Sequence, residues 1–339
     1  MNNGVPLVTI RCLVYNHAPY LRQCLDGFVK QKTNFRFEAL IHDDASTDGS
    51  ANIIREYAER YPQIIKPIYA EKNRFSQFDG SLFRILNEQT KGKYVAYCEG
   101  DDYWISEDKL QKQVDFLESH PDFVGASSNA KLVSEDGTTL IGYFPGDIRT
   151  NSISLQDLLK KNYIQTCTVM YRWKLRNTDE YERLVPPELL PGDWMIALLH
   201  ARYGRIYYSA EPVAAYRLHS DSLWSGSGCS DDFYLRNGYG HLIFYQEARR
   251  LFGNCFDKEQ REMMHDVMCS CIASSDFALL KRLQTDFPVL YDELSKTFSK
   301  QYRVSASYIL SKKIYKLIIQ NKWKYKIFRL LYNIFRINN

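Results

Sequence analysis

With 339 residues, 45% of them apolar and 14% aromatic, the chain has room for two packed domains, and global disorder is excluded. Its net charge of +4 hides a split: residues 300–339 hold ten Lys or Arg and no Asp or Glu, which leaves the first 299 residues at −6. An acidic body without a recognition module argues against a nucleic-acid partner.

In chain order, residues 5–15 read as a buried strand, short, β-branched and nearly uncharged. Asn16-His17-Ala18-Pro19 breaks it, and Tyr20, Leu21, Cys24, Leu25 and Phe28 recur at helical spacing. A second strand covers 37–42. Ser46, Thr47, Asp48 and Ser50 then supply N-cap chemistry for a helix carrying Ile53, Ile54, Tyr57, Ala58 and Tyr61 on one face. A third strand at 64–70, a helix at 80–90 and a fourth strand at 93–98 complete a βαβαβαβ order. That order implies a mainly parallel sheet covered by helices. A helix is expected at 108–119, a hairpin from 123–133 and 139–144 with its turn at Glu135-Asp136-Gly137, and a short helix at 155–159. A strand at 164–171, a helix at 189–203 and short strands at 206–208 and 213–218 follow. Beyond about residue 230 the pattern is helical. The expected division is 1–228 for the α/β domain and 229–339 for a helical region ending in a basic amphipathic tail at about 300–339.

Eight cysteines form no CxxC pair and no Cys/His zinc spacing, so structural zinc is not expected. Met1-Asn2-Asn3-Gly4 lacks the basic and apolar regions of a signal peptide. No window approaches a transmembrane span. The expected location is cytoplasmic.

Two acidic runs carry the chemistry. Asp43-Asp44 follows the second strand, and Glu99-Gly100-Asp101-Asp102 follows the fourth. Carboxylates gathered at strand ends repel one another unless a cation or hydrogen-bond donors share the site. Open α/β sheets bind ligands beyond the carboxyl ends of their strands. Asp43 and Asp44 could accept from a base imide or ribose hydroxyls. The plainer reading is that they cap the next helix. In the second run Gly100 permits a tight turn, and Mg²⁺ takes one or two carboxylates plus phosphate oxygens. A solvated acidic turn is the alternative there. Lys72, Asn73 and Arg74 could neutralise phosphate or form an ordinary basic loop.

These blocks, Val8–Asn16 with Tyr15-Asn16, Asp43 to Ser50, and Glu99-Gly100-Asp101-Asp102-Tyr103-Trp104, resemble those of family 2 glycosyltransferases of the bacterial surface-polysaccharide type. The resemblance spans about residues 5–225. It implies a GT-A (nucleotide-diphospho-sugar transferase) fold. By position, it implies that Leu13, Tyr15 and Asp44 contact the nucleobase and that Asp101 approaches the ribose or donor sugar. Asp102 would be the principal ligand of Mg²⁺ or Mn²⁺. Glu99 stands where many relatives carry an aspartate. Pro191-Gly192-Asp193-Trp194 falls where that family places its general base, making Asp193 the candidate, with a helix N-cap as its other reading. Tyr216 to Ser225 resembles the segment closing over the donor, with His219 helping to hold the metal or diphosphate. The implied reaction is a single displacement with inversion from a nucleoside-diphosphate sugar, uracil favoured, to a glycan or lipid-linked acceptor. A sugar-phosphate nucleotidyltransferase would need a Gly-rich loop after the first strand, and a dinucleotide oxidoreductase a GxGxxG. Neither is present. The non-enzymatic alternative is a glycan-binding or scaffold protein on an inactive transferase fold.

The tail sets Ile314, Leu317, Ile318, Tyr325, Phe328, Leu331 and Phe335 as a stripe flanked by Lys312, Lys313, Lys316, Lys322, Lys324, Lys326 and Arg329. A basic amphipathic helix of this kind suits an anionic membrane surface, which would place the protein on the inner face of the cell membrane. Packing on the body is the alternative. Liposome flotation of the full chain against a 1–300 truncation separates the two.

Overall fold

The computed structural model describes residues 4–146, 148, 150–175, 188–219 and 230–302. Most of the basic tail, and Ser220–Ser225 of the expected closing segment, lie outside these residues. The strands are β1 (Val8–Val14), β2 (Phe37–Asp43), β3 (Ile65–Tyr69), β4 (Tyr94–Tyr97), β5 (Tyr103–Trp104), β6 (Phe123–Val133), β7 (Leu140–Phe144), β8 (Ser152–Ile153), β9 (Met170–Arg172) and β10 (Arg205–Arg217). The helices are α1 (Ala18–Val29), α2 (Ser50–Arg60), α3 (Ser81–Gln89), α4 (Lys109–Ser119), α5 (Leu155–Leu158), α6 (Gly192–Ala201), α7 (Asp231–Phe252), α8 (Asp257–Ser274), α9 (Phe277–Asp286) and α10 (Pro288–Tyr302).

All strands join one sheet in the order β3-β2-β1-β4-β9-β6-β10-β5, with β7 on β6 and β8 on β10. β3, β2, β1 and β4 run parallel. β9 enters antiparallel between β4 and β6. Chain order reverses at β1, which lies between β2 and β4. Loops leaving β1 and β4 therefore open at the switch point where α/β sheets bind ligands. Both faces of the parallel strands are covered, so β1 is apolar almost throughout, with Val8, Ile10, Cys12 and Val14 buried. Pro19 sits in the first turn of α1, where its missing N–H costs no bond. Leu21, Cys24, Leu25 and Phe28 then face the sheet, and Phe28 meets Trp104 edge-on at 4.8 Å.

Three sequence expectations are modified. The two short strands at 206–208 and 213–218 are one long β10, with a register shift between Ser209 and Ala214. Pro212 falls in that shift, where it has no N–H to give a ladder. The strand expected at 164–171 is a 3-10 turn at Thr166–Thr168 followed by β9. The helix expected to be capped by side chains of 46–50 has Gly49 (φ 99°) at its N-cap instead, without a side-chain cap.

The chain divides into two compact units, Met1–Gly228 with Ile243–Phe256, and Cys229–Leu242 with Asp257–Asn339. Among the described residues no helix is long and apolar enough to cross a membrane.

One buried group gives the first unit a measurable acid sensitivity. His200 of α6 is fully buried, stacks on Tyr171 at 4.1 Å, and donates from Nδ1 to the Ile196 carbonyl at 2.9 Å. Burial pushes its pKa down from 6.5 to about 4. The unfolded chain therefore takes up a proton below pH 6.5 that the folded chain refuses, so stability falls with pH until about 4. His200→Phe keeps the stack and is expected to remove roughly 2 kcal/mol of the stability lost between pH 7 and 5. Urea midpoints at both pH values measure this, and equal pH slopes in the two proteins would refute it.

Candidate active site at the carboxyl ends of the strands

The loops after β1 and β2 are tied to each other. The backbone N–H of Asn16 donates to Ser46 Oγ (3.0 Å), that of His17 to Ser50 Oγ (3.0 Å) and that of Ala18 to Asp48 Oδ2 (2.8 Å). Asn16 Oδ1 accepts from Thr47 N (2.8 Å). Asn16 adopts φ 57°, a left-handed conformation that asparagine tolerates better than most residues. Thus Ser46, Asp48 and Ser50, read in the sequence as cap residues, orient the neighbouring loop.

Asp44 is buried with both carboxylate oxygens engaged: Oδ1 accepts from Arg74 N (2.7 Å) and Oδ2 from Phe75 N (2.9 Å). It anchors the loop after β3. Arg74 itself extends toward Ser81 Oγ at 3.4 Å. Asp43 is buried and accepts from Ser46 N at 3.4 Å. Leu13 packs with Leu40, Leu82 and Leu86, while Tyr15 is exposed beyond the end of β1. Asn73 caps the local turn through Ser76 N, and Lys72 is exposed.

One strand over on the other side of β1, the acidic loop after β4 turns at Gly100. A Cβ there would lie 2.8 Å from His17 Nδ1 and 3.0 Å from Val14 Cγ2, so only glycine lets this loop close against β1. Asp101 meets two imidazoles: His219 Nε2 is 3.0 Å and His17 Nε2 3.8 Å from its Oδ2. Burial opposes its charge, but the His219 hydrogen bond and the nearby His17 outweigh that, holding its pKa below 3.8. Its other oxygen, Oδ1, is buried with no hydrogen-bond partner among the described residues. Asp102 points elsewhere. It is 2% exposed, and its Oδ1 accepts the Arg217 backbone N–H at 2.9 Å. Burial, then the charge of Asp101, raise its pKa well above the usual range. Glu99 is pushed up to about 8 by burial and then by the charges of Asp101 and Asp193.

Asp193 lies in the first turn of α6, whose N-cap is Pro191, so it is not the cap residue. Thr166 Oγ1 donates to its Oδ2 at 3.1 Å. Burial raises its pKa, against the Trp194 N–H and the Thr166 hydroxyl, which favour the anion. The helix N-terminus also favours negative charge there. The structure therefore gathers Glu99, Asp101, His219 and Asp193 in one neighbourhood. It places Asp43 and Asp44 two strands away, roughly 10 Å at ordinary strand spacing.

Among the described residues no group of three or more His, Cys, Asp or Glu side chains is arranged as a metal site. The unpartnered Asp101 Oδ1 beside a histidine nonetheless fits a cation that draws its remaining ligands from phosphate and water. Asp102, the ligand expected from sequence, is 2% exposed and gives its Oδ1 to the Arg217 backbone amide.

Sequence reasoning missed His17, Thr166 and Arg217. His17 reads as a strand breaker and Thr166 as part of a strand. Both lie far in sequence from their carboxylate partners, so only the strand-end geometry reveals them.

A parallel β3-β2-β1-β4 sheet with acidic loops at its switch point defines an α/β protein of GT-A-type architecture. Residues 12–176 match the model for Glycosyl transferase family 2, and that segment belongs to the family. An uncharacterized protein of Mycobacterium tuberculosis is 37% identical over 217 residues, covering 64% of this chain and 60% of the relative. The chain thus spans about three fifths of the length of that curated relative. TuaG of Bacillus subtilis, provisionally named a teichuronic acid biosynthesis glycosyltransferase, is 32% identical over 173 residues, or 50% of this chain and 64% of that protein. Among solved structures, a mannosyltransferase of Pyrobaculum calidifontis in complex with GDP-Man and Mn²⁺ shares the fold at TM-score 0.51 and 16% identity. It covers 95% of this chain and 89% of its own. S. aureus TarS 1–349 in complex with UDP-GlcNAc does so at TM-score 0.51 and 17% identity, covering 78% and 72%.

Proposed function

We propose that this chain is an inverting glycosyltransferase. It moves a sugar from a nucleoside-diphosphate sugar, UDP favoured, to a hydroxyl of a glycan or lipid-linked acceptor in polysaccharide biosynthesis. The observation that carries the reading is the Asp101–His219 contact, with the second Asp101 carboxylate oxygen unpartnered among the described residues, on the same acidic loop as the Glu99 that feels Asp193. The surface-polysaccharide assignment draws on the name of TuaG, and the metal on the Mn²⁺ of the mannosyltransferase complex.

Asp101 and His219 would hold Mg²⁺ or Mn²⁺, and such an ion spreads the charge that builds on a diphosphate leaving group. Asp193 takes the acceptor proton as the hydroxyl attacks the anomeric carbon from the face opposite the nucleotide. Positioned base catalysis of this kind gives about 10²–10⁴-fold. Tyr15, Leu13 and the Asp44-anchored loop at Arg74 border the nucleoside. Asp43 would serve the same nucleotide subsite, and Glu99 the sugar side. The basic segment 300–339 would hold the enzyme at the inner membrane face, near a lipid-linked acceptor; composition alone supports this part.

A panel of UDP- and GDP-sugars with Mn²⁺, read by nucleoside diphosphate release, tests the reading. Release from at least one donor is expected. Binding of a glycan with no turnover of any donor would favour the scaffold alternative.

Thr166 gives a pH prediction. Its hydroxyl stabilises the Asp193 anion, so Thr166→Val raises the pKa of that carboxyl further. A base must be ionised to act, so the acid limb of the kcat–pH profile is expected to move to higher pH. An unmoved acid limb would remove Asp193 as the base or Thr166 as its partner.

A further inference from the structure

We infer that Arg217 is a positioning residue that fixes the acidic loop and His219 in register with each other, an assignment that rests on the transferase reading above. Arg217 ends β10 and is 2% exposed. Its Nε donates to the main-chain oxygen of Asp101 at 2.8 Å. One terminal nitrogen donates to the Glu135 carbonyl at 2.7 Å and the other to Gln23 Oε1 at 2.6 Å. Its own backbone N–H goes to Asp102 Oδ1. One residue thus holds the loop by the main chain of residue 101 and by the side chain of residue 102.

The surroundings are built for this group. The rings of Tyr20 and Tyr103 lie 4.9 and 5.3 Å from the guanidinium carbon. The same tyrosines bind the β6–β7 turn that Arg217 reaches, Tyr20 through Glu135 Oε1 (2.9 Å) and Tyr103 through the Gly137 carbonyl (3.2 Å). At Gly137, with φ 74°, a Cβ would stand 2.7 Å from Arg217 Nη1, so the turn closes onto the guanidinium where only glycine allows it. Three segments distant in sequence meet on one planar fork: α1, the acidic loop and the β6–β7 turn. A lysine, with a single nitrogen on a flexible stem, cannot serve three diverging acceptors.

Among the described residues the guanidinium donates to carbonyl and amide oxygens. The Asp101 carboxylate is left to His219, two residues further along the chain. Where residue 217 is pinned decides where His219 arrives, and hence the shape of the Asp101–His219 pair. The guanidinium also places a buried positive charge behind a loop of three acidic residues.

The test measures UDP and GDP binding by calorimetry, with and without Mn²⁺, in full-length wild type, Arg217→Met, Arg217→Lys and Gln23→Ala, alongside thermal melting. Wild type is expected to bind one nucleotide more tightly with Mn²⁺. Arg217→Met should lose about tenfold or more of that gain, as loss of a group orienting a metal ligand does, while Mn²⁺-free affinity holds. Arg217→Lys should recover only part of it. Gln23→Ala, which removes one exposed acceptor, should lose a smaller share with a melting temperature near wild type. If Arg217→Met does not fold, Arg217→Lys and Gln23→Ala decide. A full Mn²⁺-dependent gain in the folded variants overturns the inference, whatever their melting temperatures. A wild type that gains nothing from Mn²⁺ with either nucleotide is a different failure, and overturns the transferase reading itself.

Discussion

Asp101→Ala is expected to lower kcat/KM by about 10³-fold, whereas Asp102→Asn keeps most of the activity. Stabilisation of leaving-group charge by a fixed electrophile has this size: loss of one preorganised donor costs about 10²–10³, and a cation contributes several kcal/mol. The contrast follows from where the two carboxylates point. Asp101 Oδ2 meets His219, and its Oδ1 is buried without a partner among the described residues. Asp102 accepts the Arg217 N–H, and burial together with the charge of Asp101 disfavours its ionised form. An asparagine oxygen can accept the same N–H, so that substitution preserves the contact. Steady-state kinetics at saturating and limiting Mn²⁺ separate the two variants. The opposite ranking, with Asp102→Asn inactive and Asp101→Ala active, would return the metal to Asp102.

Asp193→Asn should reduce kcat by about 10²–10⁴ while leaving affinity for the nucleotide near wild type. Asparagine can still accept from Thr166, so the fold around α6 is kept and the proton acceptor is lost. The predicted signature is a fall in kcat with little change in donor KM, plus loss of the acid limb in the kcat–pH profile. A matching rise in donor KM with kcat intact would instead make Asp193 a binding group.

The sequence made the first half of the sheet legible because its signals are local. β1, β2 and β4 are short apolar runs ending in breakers, and α1, α2 and α4 carry apolar residues at helical spacing. The two acidic runs were visible for the same reason, since each follows a strand directly. What escaped depends on partners far along the chain. β5 is two residues long and exists because Tyr103 and Trp104 pair with Ala215 and Ala214. The reversal of β9 between β4 and β6 has no local mark. Neither does the work of Asp44, whose oxygens are taken by amides 30 and 31 residues away.

The different placements of Asp101 and Asp102 show the limit most clearly. Both are aspartates at the end of one strand, and spacing cannot rank them. Their difference is set by Arg217, more than a hundred residues later, which claims the second of the pair for the backbone. His219 follows two positions on and claims the first.

A crystal structure of the full chain soaked with UDP or GDP and Mn²⁺ tests the central claim most directly, because the anomalous signal locates the ion without reference to activity. The ion is expected within coordination distance of Asp101 and His219, bridged to the diphosphate, with the base beside Tyr15 and the loop held by Asp44. An ion bound by Asp102 alone, or a nucleotide lying away from the ends of β1, β2 and β4, would contradict the account.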